Sequence, residues 1–110
     1  MSLSFRHISG AELQQYISEL ARLRIRVFRE FPYLYDGDPA YEEGYLQTYL
    51  KAERSVVVLA MDESDPALPV VGASSALPLG DETEEVQRPF IAAGMNPDEI
   101  FYCTSYQKKS

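Results

Sequence analysis

Between Leu13 and Phe31 apolar side chains recur every three or four residues, at Leu13, Ile17 or Tyr16, Leu20, Leu23, Val27 and Phe31. That period places them on one stripe of a helix. The start is marked by Ser9-Gly10-Ala11-Glu12, a capping-box pattern in which the serine oxygen accepts a backbone N–H and the glutamate reaches back to the cap. Pro32 stops it, because the residue before a proline avoids the α region. A helix running to about Glu30 must bury its stripe against something, and the rest of the chain supplies a sheet.

Leu3 to Ile8 alternates loosely, with Leu3, Phe5 and His7 on one face, and reads as a first strand. After an aromatic loop, Pro32 to Asp38, the pair Asp38-Pro39 opens a second helix, the aspartate as N-cap and the proline in the first turn. Tyr41, Tyr45, Leu46, Tyr49 and Leu50 give this helix an apolar face to about Ala52, and Gly44 weakens it by roughly 1 kcal/mol relative to alanine. Arg54 to Met61 carries Val56-Val57-Val58-Leu59-Ala60, a run that predicts a central strand covered on both faces. A polar turn leads to an antiparallel partner from Pro69 to Leu79. The small residues Gly72 to Ala76 predict close approach there by another backbone or a ligand. Asp81 to Gly94 is helical in pattern, with Val86, Phe90 and Ile91 inward, a kink at Pro89 and Gly94 as C-terminal cap. Asn96-Pro97-Asp98 turns the chain into a fourth strand at Ile100 to Cys103, followed by a polar tail, residues 104–110. The expected class is α/β of the α+β type: a mostly antiparallel sheet flanked by helices in the order β-α-α-β-β-α-β.

Composition narrows the function classes. With 110 residues, 45% of them apolar, the chain suits one domain with a real core. The formal charge of −7 opposes binding to nucleic acid or an anionic membrane. One cysteine, Cys103, precludes an intrachain disulfide and suits a reducing compartment; on a strand it reads as a small buried residue. Neither a signal-peptide pattern nor an apolar run of the ~20 residues that span a bilayer is present, so a cytoplasmic protein is expected. His7, the one histidine, has no Cys or carboxylate at ligand spacing, so no metal is expected.

The run Leu20-Ala21-Arg22-Leu23-Arg24-Ile25-Arg26-Val27-Phe28-Arg29-Glu30-Phe31-Pro32-Tyr33-Leu34-Tyr35 resembles the first helix and following loop of bacterial GNAT-superfamily N-acetyltransferases. The likeness continues through Asp36-Gly37-Asp38, the tyrosine-rich second helix and Glu84-Glu85-Val86-Gln87-Arg88-Pro89-Phe90, covering residues 3–102. It implies acetyl-CoA as donor, a small amine or peptide amine as acceptor, and direct attack of the amine on the thioester without a covalent enzyme intermediate. It also implies a Gln/Arg-x-x-Gly-x-Gly/Ala loop after the fourth strand, whose backbone N–H groups hold the pyrophosphate. None of the six glycines here forms Gly-x-Gly, and the residues after Tyr102 read Cys103-Thr104-Ser105-Tyr106-Gln107-Lys108-Lys109-Ser110. Residues 1–103 therefore read as a shortened or frameshifted GNAT-like domain. No catalytic residue carries over, and acetyl-CoA binding is not expected of these residues alone.

What the resemblance leaves is the acceptor side. The loop between the first two helices shapes the acceptor pocket in that family, which implies Phe31, Tyr33, Tyr35 and Asp36 as substrate-lining residues. Asp36 can pair with a cationic amine, and aromatic faces can receive one. The competing reading is that these aromatics pack the loop onto the sheet. Arg22, Arg26 and Arg29 share a helix face, either as an anion site or as a solvated face laced by Glu19 and Glu30. The acidic group Asp81, Glu82, Glu84 and Glu85 reads as favouring a helix N-terminus. A short fourth strand leaves a sheet edge at Ile100 and Phe101, so a homodimer through that edge is expected. Two other readings remain: a non-enzymatic binding module using loop 31–38, and one half of a split acetyltransferase.

Overall fold

A computed structural model of the chain describes residues 2–8, 11–30 and 36–107. The elements run β1 (Leu3–Ile8), α1 (Ala11–Arg29), α2 (Pro39–Lys51), β2 (Val56–Asp62), β3 (Val70–Pro78), α3 (Glu84–Ala92) and β4 (Phe101–Gln107), with single 3-10 turns at Leu79–Asp81 and Pro97–Glu99. The four strands form one antiparallel sheet in the spatial order β1-β2-β3-β4, so β2 and β3 are central. This is the α+β class and element order that the sequence predicts. The Ser9 capping box and the Pro32 stop lie outside the described residues.

α1 buries Leu13, Ile17, Leu20 and Leu23 as its periodicity requires, and α2 adds Leu46 and Tyr49. They meet Ile8, Val57, Leu59, Ala73, Leu77 and Tyr106 from the strands in a single cluster. A fully buried aliphatic side chain contributes roughly 1.5–3 kcal/mol each, so this cluster is the main source of stability. At the start of α2, Asp38 caps as expected: its Oδ1 accepts the Ala40 N–H at 3.0 Å, with Pro39 in the first turn. Tyr41 is not on the apolar face. It is 56% exposed and its hydroxyl reaches the Glu85 carboxylate at 3.5 Å.

The valine run in β2 does not mean two covered faces. Its burial alternates strictly, with Val57, Leu59 and Met61 inside and Val56, Val58 and Ala60 outside to varying degrees. By register, Val58 and Ala60 lie beside Phe5 and His7 of β1 and Gly72 and Ser74 of β3. That outer face continues through Ser105 and Cys103 of β4. Phe5 is 71% exposed upon it, and Cys103 is exposed rather than buried. The helix-covered face and the open face thus share the same apolar strand, which is why the run alone misreads as doubly buried.

β4 extends four residues beyond Cys103. Tyr102, Thr104 and Tyr106 alternate toward the core and Tyr106 is buried, so the segment that reads as the start of a polar tail pairs with β3 from Gly72 to Pro78. A Cβ added to Gly72 would stand 3.3 Å from both the Gln107 Cβ and the Tyr106 carbonyl. The close neighbour foreseen at the small residues is β4 itself. α3 is shorter than its pattern, with Thr83 as N-cap. Phe90 meets Tyr102 edge-on at 6.0 Å, but Ile91 is 54% exposed rather than inward. Gly94 takes φ +83°, the left-handed cap that the sequence predicts.

Candidate functional site

The C-terminal half of α1, the first turns of α2 and the last residues of β4 converge at one end of the sheet. Arg24 joins them. Its Nε–H donates to Glu42 Oε2 at 2.7 Å, with the carboxylate side chain 3% exposed. Its guanidinium lies over three rings: Tyr45 at 4.9 Å, Phe28 at 5.3 Å and Tyr106 at 5.3 Å. Aromatic faces carry negative charge density, so this cage holds a cation as well as excluding water from it. Phe28 and Tyr106 also pack against each other at 5.8 Å.

From the cage, polar contacts continue into the turn after β3. The Tyr45 hydroxyl donates to Glu82 Oε2 at 2.6 Å and lies 3.5 Å from the Tyr49 hydroxyl. Glu82 Oε1 accepts the Thr83 N–H at 3.0 Å. No buried side-chain polar atom among the described residues lacks a partner. Burial opposes the charge on Arg24, yet the hydrogen bond to Glu42 and the fields of Tyr106, Glu42 and Tyr45 outweigh it and hold the guanidinium above its ordinary range. Burial, the bond to Glu82 and the neighbouring Tyr49 push the Tyr45 phenol far above the usual tyrosine value. Burial likewise raises Tyr106, with Arg24 pulling the other way. Both phenols are therefore neutral at ordinary pH, and Tyr45 acts as a donor.

Those raised values set an alkaline limit. The stabilisation they represent is complete below the ordinary tyrosine pKa of about 10 and is lost as pH rises above it, because the unfolded phenols ionise while the folded ones resist. The urea midpoint is expected to fall from about pH 10 upward. Tyr45→Phe should flatten that fall, and equal slopes for the two proteins would refute the linkage.

On the open face at the same end lies a hollow of about 320 Å³ formed by Phe5, Ala60, Gly72, Ser74, Ser105 and Gln107 and bordered by Tyr106. It holds no charged side chain. Its polar groups include the Ser74 and Ser105 hydroxyls, 2.9 Å apart across the strands. Tyr106 thus has the cage on one side and the hollow on the other.

Of the substrate-lining residues expected from the sequence, Phe31, Tyr33 and Tyr35 lie outside the described residues. Asp36 is exposed two residues before the α2 N-cap, at the end of the hairpin nearest Glu42. It makes no hydrogen bond with another described residue. Sequence reasoning did not find the Arg24–Glu42–Tyr45–Glu82 assembly. Arg24 stands there only within the run Leu20 to Tyr35, and Glu82 reads as a helix-dipole acid, whereas Glu82 is buried beneath Tyr45. One signal was available: Glu42, Tyr45 and Tyr49 recur at i, i+3 and i+7, which puts a carboxylate on the apolar stripe of α2.

Among the described residues nothing forms the glycine-rich loop that would hold the pyrophosphate of acetyl-CoA after β4. Glycines in the described strands and turns serve close packing or a helix cap, and no helix follows β4 among the described residues. No helix among them is long and apolar enough to cross a membrane. Neither family models, curated proteins nor solved structures give a match to this chain. The fold defines an α+β domain with a four-stranded antiparallel meander, one face of which is covered by helices.

Proposed function

We propose that this chain is the acceptor-side portion of a GNAT-type N-acetyltransferase, shaping the seat of a small amine or peptide amine. The observation that carries the reading is the convergence at Tyr106: Arg24, near the loop end of the α1–α2 hairpin, lies over its ring at the C-terminal end of β4, beside an uncharged hollow. The resemblance of residues 3–102 and the antiparallel strand order support it. Acetyl-CoA is the co-substrate in that reading, and its pyrophosphate needs a glycine-rich loop that these 110 residues lack. The setting is cytoplasmic. Two chains associate through the sheet, where Phe5 and Phe101 leave apolar surface uncovered.

In the acetyl transfer this implies, the amine first gives its ammonium proton to water and its nitrogen attacks the thioester carbonyl; the C–N bond forms, the C–S bond breaks, and a second nitrogen proton passes to the thiolate, which leaves as the thiol. Asp36 would draw in the ammonium form, and the cage would fix the hairpin that carries it. Such a carboxylate aids encounter more than affinity.

Titration of the chain with a polyamine, a lysine peptide and an arylamine, followed by amide NMR, tests the reading. At least one cationic amine should shift Asp36 and its neighbours saturably, with no acetyl-CoA-dependent thiol release. Thiol release above the blank would overturn the loss of the donor site. Silence from all three amines at Asp36 would overturn the acceptor role.

A further inference from the structure

Along the outer side of α1 runs a groove of about 500 Å³ lined by Arg22, Ile25, Arg26, Arg29, Glu30 and Pro39. Three arginines line one space on a chain whose net charge is −7. We propose that this groove is a binding site for a phosphoryl oxyanion, such as the phosphate or diphosphate group of a small metabolite.

The solvated-face explanation needs both Glu19 and Glu30 among the arginines, and of the two only Glu30 stands in the lining. Glu19 is turned inward, its Oε2 accepting the Val70 N–H at 2.8 Å. The described partner of Arg22 is the Ser18 hydroxyl, at 3.2 Å. Arg26 and Arg29 make no ion pair or hydrogen bond with another described residue. The loop residues 31–35, Phe-Pro-Tyr-Leu-Tyr, contain no acidic side chain to reach them. Glu30 is the one carboxylate in the lining, leaving an excess of two positive charges.

Like charges at i, i+3 and i+4 disfavour a helix by a few tenths of a kcal/mol per pair, so an unfilled arrangement is unfavourable. The helix dipole accounts for Arg26 and Arg29, which lie in the last turn of α1. It does not account for Arg22, because that field fades within one turn. The three positions extend over about 10 Å of helix axis. Flexible arginine side chains over that span can converge on a diphosphate, and their planar forks match phosphate oxygens two at a time. Against the repulsive overall charge, such a local cluster is what an anion requires.

The test is calorimetric titration of the whole chain with pyrophosphate, inorganic phosphate and citrate, at an ionic strength fixed with sodium chloride. Saturable binding of pyrophosphate is expected, at least tenfold weaker in Arg26→Gln and in Arg29→Gln, and unchanged in Arg54→Gln, an exposed arginine before β2. Thermal unfolding of each variant confirms that it folds. Absence of saturable pyrophosphate binding would overturn the proposal. So would equal weakening by Arg54→Gln, which would mean a diffuse charge effect, or citrate binding as tightly as pyrophosphate, which would remove the phosphoryl assignment. The site does not depend on the acetyltransferase reading, so either can fail alone.

Discussion

Replacing Arg24 by methionine should destabilise the domain by about 3–5 kcal/mol, the range for breaking a buried ion pair from one side. Methionine keeps most of the side-chain volume but leaves the Glu42 carboxylate, 3% exposed, without its cation. The Phe28, Tyr45 and Tyr106 rings that surround the guanidinium would then face a neutral chain. Removing both charges is different. Arg24→Met with Glu42→Leu should recover most of the loss, since a well-packed apolar pair often matches a buried salt bridge in stability. Urea unfolding of wild type, both single variants and the double variant gives the coupling energy directly. A double variant as unstable as the sum of the singles would show that the pair does not act as a unit. A domain of this size has about 5–15 kcal/mol in total, so the single change uses a large part of it.

The second large effect distinguishes the two faces of one strand pair. Leu59→Ala should cost about 2–5 kcal/mol, because Leu59 is fully buried and its truncation leaves a cavity under α1. Phe5→Ser, one residue away from the Leu59 partner Arg6 in the β1–β2 register, should change stability by less than about 0.5 kcal/mol, since Phe5 is mostly exposed. The same substitution should weaken self-association, because it removes the largest exposed side chain from the open face. Urea midpoints paired with light scattering measure both consequences. A loss of several kcal/mol at Phe5 would mean that something covers this face in solution.

The local rules served the fold well where one physical signal dominated. The spacing of Leu13 to Val27, the Asp38-Pro39 start and the left-handed Gly94 stop are each readable from neighbouring residues in the chain. Errors arose where burial depends on what lies opposite. Valine and isoleucine look alike on a covered and an uncovered face, so β2 reads as doubly buried although its outer side is open. Tyr106 sits in a polar-looking stretch and is buried because its pairing with Ala73 turns it under Phe28 and Arg24 of α1.

The site was less legible for the same reason. Arg24, Glu42 and Glu82 have ordinary local sequence surroundings; their roles come from packing α1 on α2 and the turn after β3 on Tyr45. A helical wheel places Arg22, Arg26 and Arg29 together, but only the structure shows that Glu19 turns away from them to the Val70 N–H. Of the acceptor-side residues, Asp36 can be placed, and it stands exposed at the loop end of the hairpin.

The proposed role is the acceptor side of an acetyltransferase without the donor's phosphate loop. Reading the source gene in all three frames across and beyond the codon for Cys103 tests it most directly. A frame encoding Gln/Arg-x-x-Gly-x-Gly/Ala is expected shortly after that codon, where β4 would lead into a phosphate-binding helix. If no frame encodes such a loop, the acetyltransferase assignment is contradicted and the aromatic loop must be examined as a binding surface in its own right.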